Sequence, residues 1–81
     1  MKVGDIVRSR DIGVVVEMRD DWIKVRWYEP GPDIGARVRF GALQGTLASV
    51  DGDWAWVYWD HEMDHTWPLP VRLARLEPFP N

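Results

Sequence analysis

Residues 22–28 read WIKVRWY and residues 54–60 read WAWVYWD. In each stretch an apolar residue returns at every second position, Ile23, Val25 and Trp27 in the first and Ala55, Val57 and Trp59 in the second. A period of two is that of a β-strand, whose successive side chains point to opposite faces. Upstream of each stretch the pattern predicts two more strands, over residues 5–9 and 13–18 and over residues 37–40 and 45–50. The acidic turns RDD and DGD lead into the Trp-rich strands, and Asp-Gly between β-rich runs is a strong hairpin signal. Nowhere does a period of 3.6 persist, which predicts an all-β chain with little helix.

The two halves repeat each other. At an offset of 31, Gly4 falls on Gly35, Val7 on Val38 and Arg8 on Arg39. At 32, Gly13 falls on Gly45, Asp21 on Asp53, Trp22 on Trp54, Val25 on Val57 and Trp27 on Trp59. This order, with one gap, is the mark of an internal duplication. The linker EPGPD closes the first copy, because two prolines do not fit a central ladder. The predicted division is a truncated first repeat over 1–31 and a second repeat over 32–81 with a closing C-terminal strand. Beyond Trp59, HTW is predicted as a further strand, Pro68 to Pro70 as a turn, VRLA as a 3₁₀ turn and RLEP as the closing strand. Leu69, Leu73 and Leu76 are expected to face the core. The total is six to eight strands.

The alternation also assigns faces. Ile23, Val25, Trp27, Ala55, Val57 and Trp59 are predicted core, with Trp27 and Trp59 filling the two halves. Trp22, Lys24, Arg26 and Tyr28 fall on the other face of the first copy, and Trp54, Trp56 and Tyr58 on that of the second. The positions that differ between the copies lie on this second face, where Lys24 corresponds to Trp56 and Arg26 to Tyr58. A Trp-Trp-Tyr row is too apolar to stand in water without a reason. It is covered by packing between the halves or by dimerisation, or it binds another protein, for which Trp, Tyr and Arg are the usual anchors, or it stacks single-stranded nucleic acid. Trp54, Trp56, Tyr58, Trp22, Lys24, Arg26 and Tyr28 are therefore the candidate partner-binding residues.

The segments VGDIVR, GVVVE and WIKVRW together resemble the SH3-like small barrel in its KOW and Tudor-type branch. The chain is also similar to short phage and bacterial proteins that open MKVGD-V and carry W-KV-W. The first resemblance implies two tandem SH3-like half-repeats packed as a small barrel or a fused double barrel. The first copy departs from it, with no room for fourth and fifth strands before Ile34. Such barrels bind RNA, polymerase, methylated tails, proline-rich peptides or each other. The second resemblance implies an accessory or host-interacting protein, such as an inhibitor.

Composition narrows the function classes. Ten basic against thirteen acidic residues leave a net charge of −3, with six and seven up to Asp33 and four and six beyond it. A duplex-DNA binder needs surplus positive charge, so nucleic acid ranks below protein as the partner. With no cysteine there is neither a disulfide framework nor a thiolate metal site. His61 and His65 are four apart in DHEMDHTW, a metal spacing on a helix but not in a loop between strands, so no metal is expected. Ser9, Ser49, Thr46 and Thr66 sit in no nucleophile motif and no Gly-rich phosphate loop is present. The expectation is a non-catalytic, cofactor-free, cytoplasmic binding module whose partner is another protein or a second copy. RNA or single-stranded nucleic-acid binding and structural self-assembly are the alternatives. The N-terminus MKVGDIVRSRD lacks the apolar core of a signal peptide, and no run approaches membrane-spanning length.

Overall fold

The computed structural model describes residues 1–78. The chain is all-β, with eight strands and one 3₁₀ turn among the described residues. No helix among them is long and apolar enough to cross a membrane. Contacts divide the chain into two compact units, which separate between Pro30 and Gly31.

The first unit is a three-stranded antiparallel meander of β1 (Ile6–Arg8), β2 (Ile12–Met18) and β3 (Ile23–Trp27), in spatial order β1-β2-β3. The second holds β4 (Arg37–Phe40), β5 (Leu43–Asp51), β6 (Trp54–Trp59), β7 (Leu69–Arg72) and β8 (Glu77–Pro78). Their order is β7-β6-β5-β4-β8, with the 3₁₀ turn Leu73–Arg75 between the two edge strands. Strand pairing closes neither sheet into a ring among the described residues.

The duplication reappears in the pairing. Gly13 stands opposite Val7 and Trp27, and Gly45 opposite Val38 and Trp59. The ladder is bulged between Val15 and Glu17 in one unit and between Leu47 and Ser49 in the other. Three backbone bonds are also repeated. Gly4 N–H donates to Val15 O and Gly35 N–H to Leu47 O. Val15 and Leu47 return bonds to Asp5 O and Ala36 O, and Tyr28 and Asp60 donate to Ile12 O and Gln44 O. Gly4 and Gly35 hold φ of +96° and +81°, a region that glycine enters without steric cost.

Glycine at positions 13 and 45 answers to space instead. A Cβ at Gly13 would lie 2.6 Å from Val25 Cγ1 and 2.9 Å from Trp27 Cε3. At Gly45 it would lie 2.6 Å from Val57 Cγ1 and 2.7 Å from the Tyr58 carbonyl oxygen. In each unit the Trp ring lies across the glycine that faces it. The turns differ between units. Gly41 and Gly52 each open a two-residue turn with φ near +60°, and no other residue type among the described residues has positive φ, which is the type II′ pattern.

The second unit has a core of Val38, Leu47, Ala55, Val57 and Trp59, and Phe40, Leu69, Val71 and Leu76 pack against it. Leu69 stands opposite Val57 and Val71 opposite Ala55, so β7 lays its apolar side chains on the core face of β6. Two expectations for the tail are corrected. HTW forms no strand, and β7 instead takes in Leu69 and Pro70, the latter opposite Trp56. Proline is tolerated there because β7 is an edge strand, with no further ladder to supply. Leu73 belongs to the 3₁₀ turn and is exposed, whereas Leu69 and Leu76 pack inward.

Candidate functional site

The aromatic residues fall elsewhere than alternation alone predicts. Trp54 and Trp56, expected on an outward face, are 6% and 1% exposed, and Tyr58 is half-buried. β6 lies between β5 and β7, and all its positions except Tyr58 are buried. Pro70 stands opposite Trp56, and the Arg72 guanidinium lies 4.9 Å from the centroid of the Trp54 ring, a cation–π contact within the second unit. The exposed Trp-Trp-Tyr row expected on β6 is therefore not formed, and the cation over Trp54 is Arg72 of the same unit.

In the first unit the correction runs the other way. Trp27 and Ile23, expected in the core, are each 41% exposed, and Tyr28, expected outside, is buried. Trp22 is 47% exposed, Lys24 is exposed and Arg26 is half-buried. Register places Ile23, Val25 and Trp27 on one face with Val15, Gly13 and Met18. That face is closed at its centre, where Val15 is buried, and open along β3. A cavity of about 260 Å³ beside it is lined by Ser9, Arg10, Asp11 and Trp27. Ile23 and Trp27 on that face, and Trp22 at the start of β3, are thus exposed where Trp54 and Trp56 are covered.

A signal for this was present in the chain. The second repeat continues for some twenty residues past Trp59, while the first ends at Pro30, three residues past Trp27. Leu69, Val71 and Leu76, beyond Trp59, pack against the core cluster that contains it, and the first unit has no counterpart to that segment.

Arg37 Nη1 donates to Asp60 Oδ1 at 2.9 Å and to Thr46 Oγ1 at 2.9 Å, and Nη2 pairs with Asp60 Oδ2. The two-point hydrogen bonding from Arg37 holds the Asp60 carboxyl below the usual carboxylate range and raises Arg37 in turn, both groups standing at the solvent boundary. Arg39 Nε donates to Glu77 Oε2 at 2.9 Å and joins β4 to β8. His65 Nε2 lies 2.9 Å from the Trp59 carbonyl oxygen, and Asp64 Oδ1 accepts from both the amide and the hydroxyl of Thr66. His61 and His65 thus belong to an internally bonded loop, and no group of three or more metal-ligating side chains occurs among the described residues. No polar or charged residue is buried there either.

The candidate site is therefore the β3 side of the first unit, built by Trp22, Ile23 and Trp27 with Lys24 and Arg26 alongside. When the chain is compared with known protein families, curated proteins and solved structures, it matches none of them.

Proposed function

We propose that the chain is a non-catalytic protein-binding module, that its second unit is a small SH3-like barrel, and that its first unit carries the binding surface. The barrel reading is supported by the order β7-β6-β5-β4-β8, in which the last strand returns beside the first after a 3₁₀ turn. The binding reading rests on one observation above all, the exposure of Ile23 and Trp27 on one face of the edge strand β3, with Trp22 exposed just before it. Aromatic side chains of this kind are the usual anchors of protein interfaces, since each removes a large rigid area from water at low entropy cost. The non-catalytic reading is supported by the bonding of the two displaced groups, since Arg37 and Asp60 hold each other in a two-point ion pair that ties β4 to the end of β6. Charge favours protein over nucleic acid, because residues 1–30 carry six basic and six acidic side chains and supply no positive surplus.

Photocrosslinking tests the reading. A photoreactive phenylalanine replaces Trp22 in producing cells, and a second protein carries it at Val50, an exposed position of the second unit. The expected result is a discrete protein adduct from position 22, absent from position 50, lost with Ile23→Asp and insensitive to salt. Crosslinks to RNA that disappear with rising salt would replace this reading with nucleic-acid binding.

A further inference from the structure

We propose that the open edge of β3 takes up an extended segment of another protein, with the chemistry that residues 69–78 of this chain present to the second unit. The proposal rests on the reading of the first unit as a protein-binding surface and specifies what it holds. The second repeat serves as the template. There, β7 adds to the edge of β6 with Leu69 opposite Val57, Val71 opposite Ala55 and Arg72 opposite Trp54. The same segment then crosses by its 3₁₀ turn to β4, where Glu77 stands opposite Arg39 and Pro78 opposite Val38.

Each of these partners has a counterpart in the first unit, and three of the counterparts, Ile23, Trp22 and Arg8, stand open. Ile23 occupies the position of Ala55, and its side chain is exposed where that of Ala55 is fully covered. Trp22 occupies the position of Trp54 and stands in solvent, whereas Trp54 lies beneath the Arg72 guanidinium. Arg8 on β1 occupies the position of Arg39 and is exposed, with no acidic partner among the described residues, whereas Arg39 is paired with Glu77. Both β1 and β3 are sheet edges, with unpaired backbone groups that a strand can use. Three kinds of complementarity therefore converge on one occupant: two alternating apolar side chains for Ile23 and Val25, a cation for Trp22 and a carboxylate for Arg8.

The chain's own copy of such a segment is already paired with β6 and β4. Supplying it from a second copy would strip the core of that copy's second unit. The occupant is thus a different protein that carries an apolar-x-apolar-Arg stretch followed, after one turn, by Leu-Glu.

The test uses the whole chain, ¹⁵N-labelled, and a synthetic peptide of the sequence LPVRLARLEP. Expected are saturable shifts by about 1 mM peptide in the amides of β1 and β3 and in the indole N–H signals of Trp22 and Trp27, with those of Trp54 and Trp59 unmoved. A peptide with Glu77→Arg should bind at least tenfold more weakly, and Arg8→Glu in the protein should restore its binding. The absence of a saturable shift overturns the proposal, as do shifts confined to the second unit or indifference to the charge exchange. A β3-mediated dimer that Ile23→Lys converts to monomer also overturns it, by making a second copy the occupant. A protein adduct at position 22 alongside a failed peptide titration leaves the binding reading standing and removes only this inference.

Discussion

Trp27 and Trp59 are one residue written twice. Each closes the third strand of its unit, stands opposite a glycine and lays its ring across it, with Val25 or Val57 pressing the same glycine. Yet Trp59 is 7% exposed and Trp27 41%. The difference does not arise in the strand that carries them, because backbone bonds, bulge and register are the same in both units. It arises in the later course of the chain. The second unit goes on to β7, the 3₁₀ turn and β8, which bring Leu69, Val71 and Leu76 onto the apolar face, and the first ends at its linker. An identical local pattern therefore yields a core residue in one unit and a surface residue in the other.

The largest test of this contrast is truncation of the two rings. Trp59→Ala removes a buried aromatic and should cost about 3–5 kcal/mol, whereas Trp27→Ala, whose ring is already partly in water, should cost about half as much. Urea denaturation followed by far-ultraviolet circular dichroism measures both. Equal losses would mean that the repeat context, and not the cover, sets the value of the ring.

Next in size is the pair of glycines. Ala at either position meets atoms far inside van der Waals contact, and overpacking of this kind costs about 1–3 kcal/mol. Gly45→Ala belongs at the upper end, because one of its nearest atoms is the Tyr58 carbonyl oxygen, part of a backbone fixed by ladders on both sides. Gly13→Ala meets only side chains of Val25 and Trp27, and β3 is an edge strand free to shift. Thermal melting of the two variants should rank them in that order, and the reverse ranking would show β3 to be the more rigid strand.

A third comparison is smaller. Glu77→Gln removes the partner of Arg39 at a half-exposed ion pair and should cost less than about 1 kcal/mol. Arg8→Gln in the first unit removes a side chain with no acidic partner among the described residues and should leave the denaturation midpoint unmoved. A loss at Arg8 equal to that at Glu77 would deny that the two arginines differ in pairing.

Much of this is legible in the sequence, and the part that is not has a definite cause. The repeat, the six strands of its two copies and the closing strand at Glu77–Pro78 follow from a period of two, turn glycines and prolines. The burial of Ala55, Val57 and Trp59 follows from the same period. The face assignment fails at Trp54 and Trp56 because alternation assumes one wet face, whereas WAWVYW is a nearly unbroken apolar run, the pattern of a strand buried on both sides. It fails at Ile23 and Trp27 for the opposite reason, since a correct alternation says which face is apolar but not whether any later segment reaches it. Pro70 reads as a turn residue because proline stops a ladder, a rule that does not hold at a sheet edge.

The finest contrast lies where the two repeats differ in charge. Arg37 and Asp60 of the second unit correspond to Ile6 and Tyr28 of the first, so an ion pair occupies a place that its twin fills with apolar side chains. The Arg37 bonds depress the Asp60 pKa below that of an unfolded aspartate, which makes the native state the weaker proton binder at this site. A depressed carboxylate contributes stability that is fully present above the unfolded pKa, about 4, and is lost as pH falls through the lower native value. Arg37, raised further from an already high value, stays charged throughout and adds no slope of its own. The stability difference between wild type and Asp60→Asn should therefore be present at about pH 5 and shrink toward zero below pH 4. Hydrogen exchange should place the acid-sensitive part at β4 and β5, with the Tyr28 amide of the first unit unaffected. A difference that persists undiminished at low pH would mean that the amide in the Asp60→Asn variant is disfavoured for its shape, and that the charge on Asp60 contributes nothing to the contrast between the units.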